Sequence, residues 1–316
     1  MLAYCLKRIL AGLLVLVILS LAVFAMVYAA PGSVEHSLLG GSARSPEAVA
    51  AVRAKYHLDE SFVSQYRHWI SGAVKGDFGD SIKYREAATA TIGSRAVVTS
   101  QLAVLGFGFA LVLGLAMGWL AAFRSRTALD RSLVGSSIVG TSVPTFILGV
   151  LLIYVFAVEL GWFPVSGPGT GGLDRLWHLV LPALTLGFSS YALVLKLTRA
   201  GVLNNMEQDA YLFARARGVR GWLLMRRYAL RGGLIPLVTS LALLLTYMLT
   251  GAVLVEVVFG IPGLASLLVE SVNAKDVPVI QALTLLTGVI VITLNLVADI
   301  SYRLIDPRVR VSETSP

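Results

Sequence analysis

Residues 9–30 read ILAGLLVLVILSLAVFAMVYAA, an uncharged apolar run entered through Lys7 and Arg8. A helix needs roughly 20 mostly apolar residues to cross a bilayer, so this run predicts a membrane span. The apolar core of a secretory signal is about 7–15 residues long, which makes the run too long for one. It is read as a retained helix. Cys5, just before it, is the only cysteine, so the chain can form no internal disulfide and carries no cysteine-based zinc or redox motif. Cys5 reads as a small apolar filler.

Moving outward, five more segments qualify by the same criterion: Val97–Phe123, Ser132–Val158, Trp177–Thr198, Gly233–Val257 and Val279–Tyr302. The composition agrees. The 316 residues are 56% hydrophobic and only 14% charged, against about 25% charged in soluble domains. So few charges could not cover a soluble surface, and the chain is read as an all-α polytopic membrane protein of six spans.

Lys and Arg placement predicts the orientation, because cytoplasmic loops carry the excess. With both termini inside, the cytoplasmic face holds Lys7, Arg8, Arg124, Arg126, Arg131, Arg199, Arg215, Arg217, Arg220, Arg226, Arg227, Arg231, Arg303, Arg308 and Arg310. The two short external loops hold only Arg175 and Lys275. The net charge of +8 is thus a topology signal, and nucleic-acid binding is not expected. The resulting organisation is a first span with a cytoplasmic N-terminus (1–30), an extracytoplasmic cap (31–96), a five-helix core (97–302) and a cytoplasmic tail (303–316).

Within the cap, Ser45-Pro46-Glu47 reads as a helix start. A second helix is expected from about Asp59 to Val74, with Phe62, Tyr66, Trp69, Ile70 and Ala73 as its apolar stripe and Gly76 as its stop. The core carries a cytoplasmic loop at 200–232, entered at Arg199 and rich in arginine. There, Tyr211-Leu212-Phe213-Ala214-Arg215-Ala216-Arg217-Gly218 mixes apolar groups at helical spacing with charge. Such a segment either lies on anionic head groups or presents Tyr211, Phe213, Ala214 and Ala216 to a groove on another protein. The residues alone leave both readings open.

Catalytic patterns are missing. There is no His-Glu-x-x-His, no Gly-x-Ser-x-Gly, and no lysine follows a glycine as a phosphate-cradling loop requires. His36, His57, His68 and His178 are scattered and read as ordinary hydrogen-bonding groups. Only Glu256 and Asp299 come close to the depth of the spans, both near predicted span ends, too few for a proton relay. Hydroxyls are plentiful: Ser136, Ser137, Thr141, Ser142 and Thr145, then Thr185, Ser189, Ser190 and Tyr191, then Thr246, Tyr247 and Thr250. Most are read as packing groups; Ser142, Tyr247, Thr250 and Glu256 are candidates for an aqueous path. Gly114-x-x-x-Gly118 suggests close helix packing, and Pro144, Pro182 and Pro236 are candidate kinks.

Nearly end to end, the chain resembles the inner-membrane permease subunits of ATP-binding-cassette importers, in their dipeptide/oligopeptide branch. The resemblance is carried by Leu6-Lys7-Arg8-Ile9 and Pro31-Gly32, Tyr56-His57-Leu58-Asp59, Gln65-Tyr66 and Gly76-Asp77-Phe78-Gly79-Asp80-Ser81. Further along it rests on Ser142-Val143-Pro144-Thr145-Phe146, Gly161-Trp162-Phe163-Pro164-Val165-Ser166-Gly167, Glu256-Val257-Val258-Phe259, Pro262-Gly263-Leu264, Asp299 and Asp306-Pro307-Arg308-Val309-Arg310. Ala214-Arg215-Ala216-Arg217-Gly218, continued by Ala229-Leu230-Arg231 and Ile235-Pro236, is similar to the family's coupling-helix motif. The motif's leading Glu-Ala falls on Leu212-Phe213, and the branch's Asp-Tyr is here Asp209-Ala210-Tyr211.

The resemblance implies a type I importer permease fold with no catalytic residue and no cofactor or metal of its own. It implies a coupling segment comprising Asp209, Tyr211, Phe213, Ala214, Arg215, Ala216, Arg217 and Gly218. It also implies a second homologous permease, two cytoplasmic ATPases that bind ATP and magnesium, an extracytoplasmic binding protein, and a peptide substrate in a bacterial inner membrane. The same branch imports nickel, glutathione and other small solutes.

Overall fold

In the computed structural model the described residues are 2–29, 46–55 and 57–305, and they are helical almost throughout. Twelve helices follow in order. They are α1 (Leu2–Ala29), α2 (Pro46–Lys55), α3 (Phe62–Val74), α4 (Ala88–Phe123), α5 (Ala128–Ser142), α6 (Thr145–Leu152) and α7 (Gly172–Met206). Then come α8 (Asp209–Ala216), α9 (Gly221–Leu224), α10 (Leu230–Val258), α11 (Leu264–Ala274) and α12 (Val277–Ile305). Ser45, His36, Pro31-Gly32, Tyr56 and the 306–310 motif lie outside the described residues.

Among the described residues, α1, α4, α7 and α12 are long and apolar enough to cross a membrane. The expected third span is broken at its candidate kink. In place of one rod over Ser132–Val158 there are two helices, α5 and α6, meeting at 103°. The cause is Pro144, whose ring forces Val143 into an extended conformation (φ −80°, ψ 122°) and so ends α5. Beyond α6, Ile153–Glu159 continues as a π-helical turn. Pro182 and Pro236, by contrast, are carried inside the continuous helices α7 and α10.

The chain divides into two compact units, 1–99 with 262–293, and 100–261 with 294–316. In the first, α3 docks on α1 through the expected stripe. The Phe24 ring sits 5.3 Å from Phe62, 5.6 Å from Tyr66 and 5.4 Å from Trp69. The hydroxyls of Ser20 and Tyr66 are hydrogen-bonded at 2.7 Å. A second knot is formed by Asp276, which is fully buried. Its carboxylate accepts from the Ser81 hydroxyl and from the amides of Ile82 (3.1 Å) and Lys83 (3.2 Å). Phe78 and Tyr84 pack beside it on Ala88, Ile92, Leu267, Val279 and Leu283.

Of the four histidines read as scattered hydrogen-bonding groups, two are brought together. His57 and His68 stack with their rings 4.2 Å apart.

The second unit is organised around α7, whose Leu179, Leu186, Tyr191 and Leu195 are buried. Glycines let its neighbours approach. A Cβ on Gly114 would lie 2.4 Å from the Val194 Cβ and 2.9 Å from the Tyr191 carbonyl, and one on Gly118 2.8 Å from Thr198. The Gly-x-x-x-Gly pattern of α4 therefore marks its contact with α7. The Tyr191 hydroxyl donates to Ser136 on α5 at 3.1 Å, while Thr185 and Ser189 bond to carbonyls of their own helix.

Gly114→Ala should cost about 1–3 kcal/mol through overpacking. Gly108→Ala on the same helix, where a Cβ meets nothing within 4 Å, should be neutral or stabilising by up to ~1 kcal/mol. Thermal unfolding of the purified variants in detergent measures both. Equal effects would contradict the assigned α4–α7 contact.

Candidate functional site

The arginine-rich segment folds onto the ends of α4 and α7. At Glu207 the α7 helix stops, and Gln208 (φ −75°, ψ 148°) lets the chain re-enter helix at Asp209. Asp209 lies in the first turn of α8 and Arg215 in the last, each favourable to the helix dipole. The helix ends where Gly218 adopts φ +84°, a conformation that costs a glycine nothing and other residues more. The amides of Gly218 and Val219 then bond back to Arg215 (3.0 Å) and Ala214 (3.1 Å). A C-terminal stop of this kind returns the chain sharply.

The two faces of α8 differ. Tyr211 (4% exposed) and Ala214 (6%) turn inward, against Ala122, Val202, Leu224 and Ala229. Trp119, Phe123, Leu203 and Met206 complete this seat, and Asn205 donates to the Tyr228 carbonyl at 2.8 Å to hold the return strand of the loop. Four residues were expected to face outward, and two do not. Tyr211 and Ala214 anchor the helix, while Phe213 and Ala216 are exposed. Beside them Leu212 (48% exposed), Phe213 (68%), Trp222 (64%) and Leu223 (59%) form an apolar surface. Arg215, Arg217, Arg220, Arg226 and Arg227 are also exposed.

Near this seat, α7 is tied to α5 by an ion pair that sequence reasoning missed. Arg199 donates to both oxygens of Asp130, from Nε at 2.7 Å and Nη2 at 2.8 Å. Asp130 also accepts from the Arg126 amide at 2.9 Å. Its own amide donates to Thr127, the N-cap of α5, at 3.4 Å. The Asp130 side chain is only 6% exposed and that of Arg199 28%. A signal existed in the acid at the third position after a threonine, a helix-start pattern.

The candidate path residues are not all equivalent. Ser142 is exposed at the end of α5, beside the Pro144 break. Tyr247 and Thr250 are exposed three residues apart on one face of α10. Glu256 lies about two and a half turns beyond Tyr247, on the opposite face of α10, and has no exposed surface. His178 bonds to the Asp174 carbonyl at 2.9 Å, an ordinary structural role.

Long apolar helices and an interrupted apolar helix pair define, among the described residues, a polytopic helical membrane protein. A family model described as "Binding-protein-dependent transport system inner membrane component" matches residues 114–311, and its N-terminal companion matches residues 1–101. The chain belongs to this family, the inner-membrane permeases of ATP-binding-cassette importers. It is 39% identical over 310 residues to the glutathione transport system permease protein GsiC of Escherichia coli (strain K12), covering 98% of this chain and 99% of that one. The same-named protein of Shigella flexneri serotype 5b (strain 8401) is 38% identical over 310 residues, again 98% of this chain and 99% of that one. A crystal structure of an amino acid ABC transporter with histidines shares the fold, with a TM-score of 0.54 at 19% identity, covering 68% of this chain and 94% of that one.

Removing Asp130 leaves Arg199 without its partner, but Arg199 is 28% exposed and still reaches water, so the cost is about 1–3 kcal/mol. Asp130→Ala should therefore destabilise the chain, and the Asp130→Ala/Arg199→Met double variant should recover part of the loss. A double-mutant cycle on thermal unfolding tests this. Strict additivity would show that the pair contributes no coupling.

Proposed function

We propose that this chain forms one half of the translocation pathway of an importer for short peptides, glutathione among them, and that a separate ATPase drives it through α8. The observation that carries the coupling role is the division of α8 into two faces. Tyr211 and Ala214 fasten it to α4 and α7, and Leu212 and Phe213 project beside exposed arginines. Apolar side chains held out on an anchored helix suit insertion into a groove on another protein. A purely lipid-binding role would not need so rigid a seat. The relatives in Escherichia coli and Shigella flexneri are glutathione permeases, which supports the solute class.

The complete assembly comprises a second homologous permease, two ATPases binding ATP and magnesium on the cytoplasmic side, and an extracytoplasmic binding protein. Six crossings with both termini inside put α8 in the cytoplasm and α2 and α3 outside, in line with the arginine and lysine distribution. Nucleotide binding to the ATPase biases the permease between inward-open and outward-open states. Movement of α8 reaches α5 through the Arg199–Asp130 pair, and α5 ends at the Pro144 break. Ser142, Tyr247 and Thr250 line the path. Glu256 is enclosed in this conformation and does not.

Phe213→Asp changes an exposed side chain and should leave folding intact. It should weaken ATPase association by about 2 kcal/mol or more, ~30-fold, and reduce ATP-driven uptake in proteoliposomes accordingly. Gly218→Glu, which forces a side chain into a left-handed backbone, should abolish uptake while membrane insertion persists. Unchanged uptake and ATPase association in both variants would overturn the coupling role. A screen of glutathione, dipeptides, oligopeptides and nickel against the associated binding protein tests the solute. Retention of nickel alone would overturn the peptide assignment.

A further inference from the structure

His57, Glu60 and His68 are not close in sequence pattern, yet they converge on one spot at the start of α3. His57 Nδ1 lies 3.0 Å from Glu60 Oε1, and His68 Nε2 lies 3.4 Å from Glu60 Oε2. A ligand atom from each of the three lies within 4.8 Å of the other two. The two imidazole rings stack at 4.2 Å, 13° from parallel.

The turn that brings the three together is built. His57 stands at φ 55°, a conformation uncommon for a residue with a side chain. It is held there by hydrogen bonds from the Leu58 amide to Arg53 and from the Glu60 amide to His57, both 3.0 Å. Gln65, itself buried, reaches back from α3 and donates to the carbonyls of Glu60 (2.8 Å) and Leu58 (3.3 Å). His68 sits on α3, which the aromatic stripe fixes to α1. The Ser64 hydroxyl donates to the Glu60 carboxylate and holds that acid below its ordinary range.

We propose that His57, Glu60 and His68 bind a divalent transition-metal ion, with zinc, copper(II) and nickel(II) the fitting class. Two imidazoles and one carboxylate are the nitrogen and oxygen donors such ions take. In a tetrahedral sphere with bonds of about 2.0–2.1 Å, neighbouring ligand atoms lie roughly 3.3–3.4 Å apart. His57 Nδ1 lies 3.0 Å from one Glu60 oxygen and His68 Nε2 3.4 Å from the other, so the donors are within reach of that spacing. On binding, the exposed imidazoles turn out of their stack to aim both lone pairs at the ion. All three side chains are exposed, so water completes the sphere. The bound ion fastens the 57–60 turn to α3. This inference stands on the local geometry and is independent of the solute or the ATPase.

The test is a zinc titration of the untagged full-length chain in detergent by calorimetry, followed by cobalt(II) absorption. The wild type should bind one zinc per chain. Glu60→Gln or His68→Ala should weaken binding at least ~10-fold, and the His57→Ala/His68→Ala double variant should abolish it. His178→Ala should leave it unchanged. Because the three side chains are exposed, the unfolding temperature of the metal-free variants should match the wild type. Thermal unfolding should rise with zinc in the wild type alone. Failure of the wild type to take up zinc, or equal uptake by the double variant, would overturn the assignment.

Discussion

The constraint that governs this molecule is the helix pair α4–α7, brought within direct backbone reach because Gly114 and Gly118 have no side chain. In a bilayer, apolar residues gain little by leaving lipid for protein, so helices associate through close packing and hydrogen bonds. A contact that would place a Cβ 2.4 Å from Val194 is possible only for glycine. Once α7 is seated, the rest of its unit is arranged around it. Tyr191 meets Ser136 of α5, Arg199 grips Asp130, and the far ends of α4 and α7 supply the floor on which Tyr211 and Ala214 rest.

That floor explains how a helix of only eight residues stays formed. Isolated helices of that length are marginal in water. Here the inward face is buried, the C-terminus is closed by Gly218, and the chain beyond it returns through Val219 and Leu224 to the same cluster. The outer face is thus released from any duty in folding. The 81–84 turn and Asp276 do comparable work in the other unit, where one buried carboxylate satisfies several donors from a single loop.

Much of the membrane pattern is legible in the sequence, because apolar runs of sufficient length have few alternatives to a spanning helix. The cap helix over Phe62–Val74 is legible from its aromatic period, and its contacts with Phe24 follow from the same stripe. Hydropathy says nothing about direction, however, and so conceals the 103° turn at Pro144, both halves of which are apolar. Pro144 is legible as a kink, but nothing in the sequence separates its sharp break from Pro182 and Pro236, which the helices carry. On α8 the composition of both faces is mixed, and an apolar Tyr211 cannot be told from an apolar Phe213 until the floor beneath is known. His57 and His68 are separated by a turn and a stretch of helix, so no repeat spacing announces their meeting.

The separation of anchor and display on α8 has a consequence for substitution. Under the proposed coupling role, substitutions at Leu212, Phe213 or the neighbouring arginines would change the docking surface while leaving the buried seat of Tyr211 and Ala214 intact.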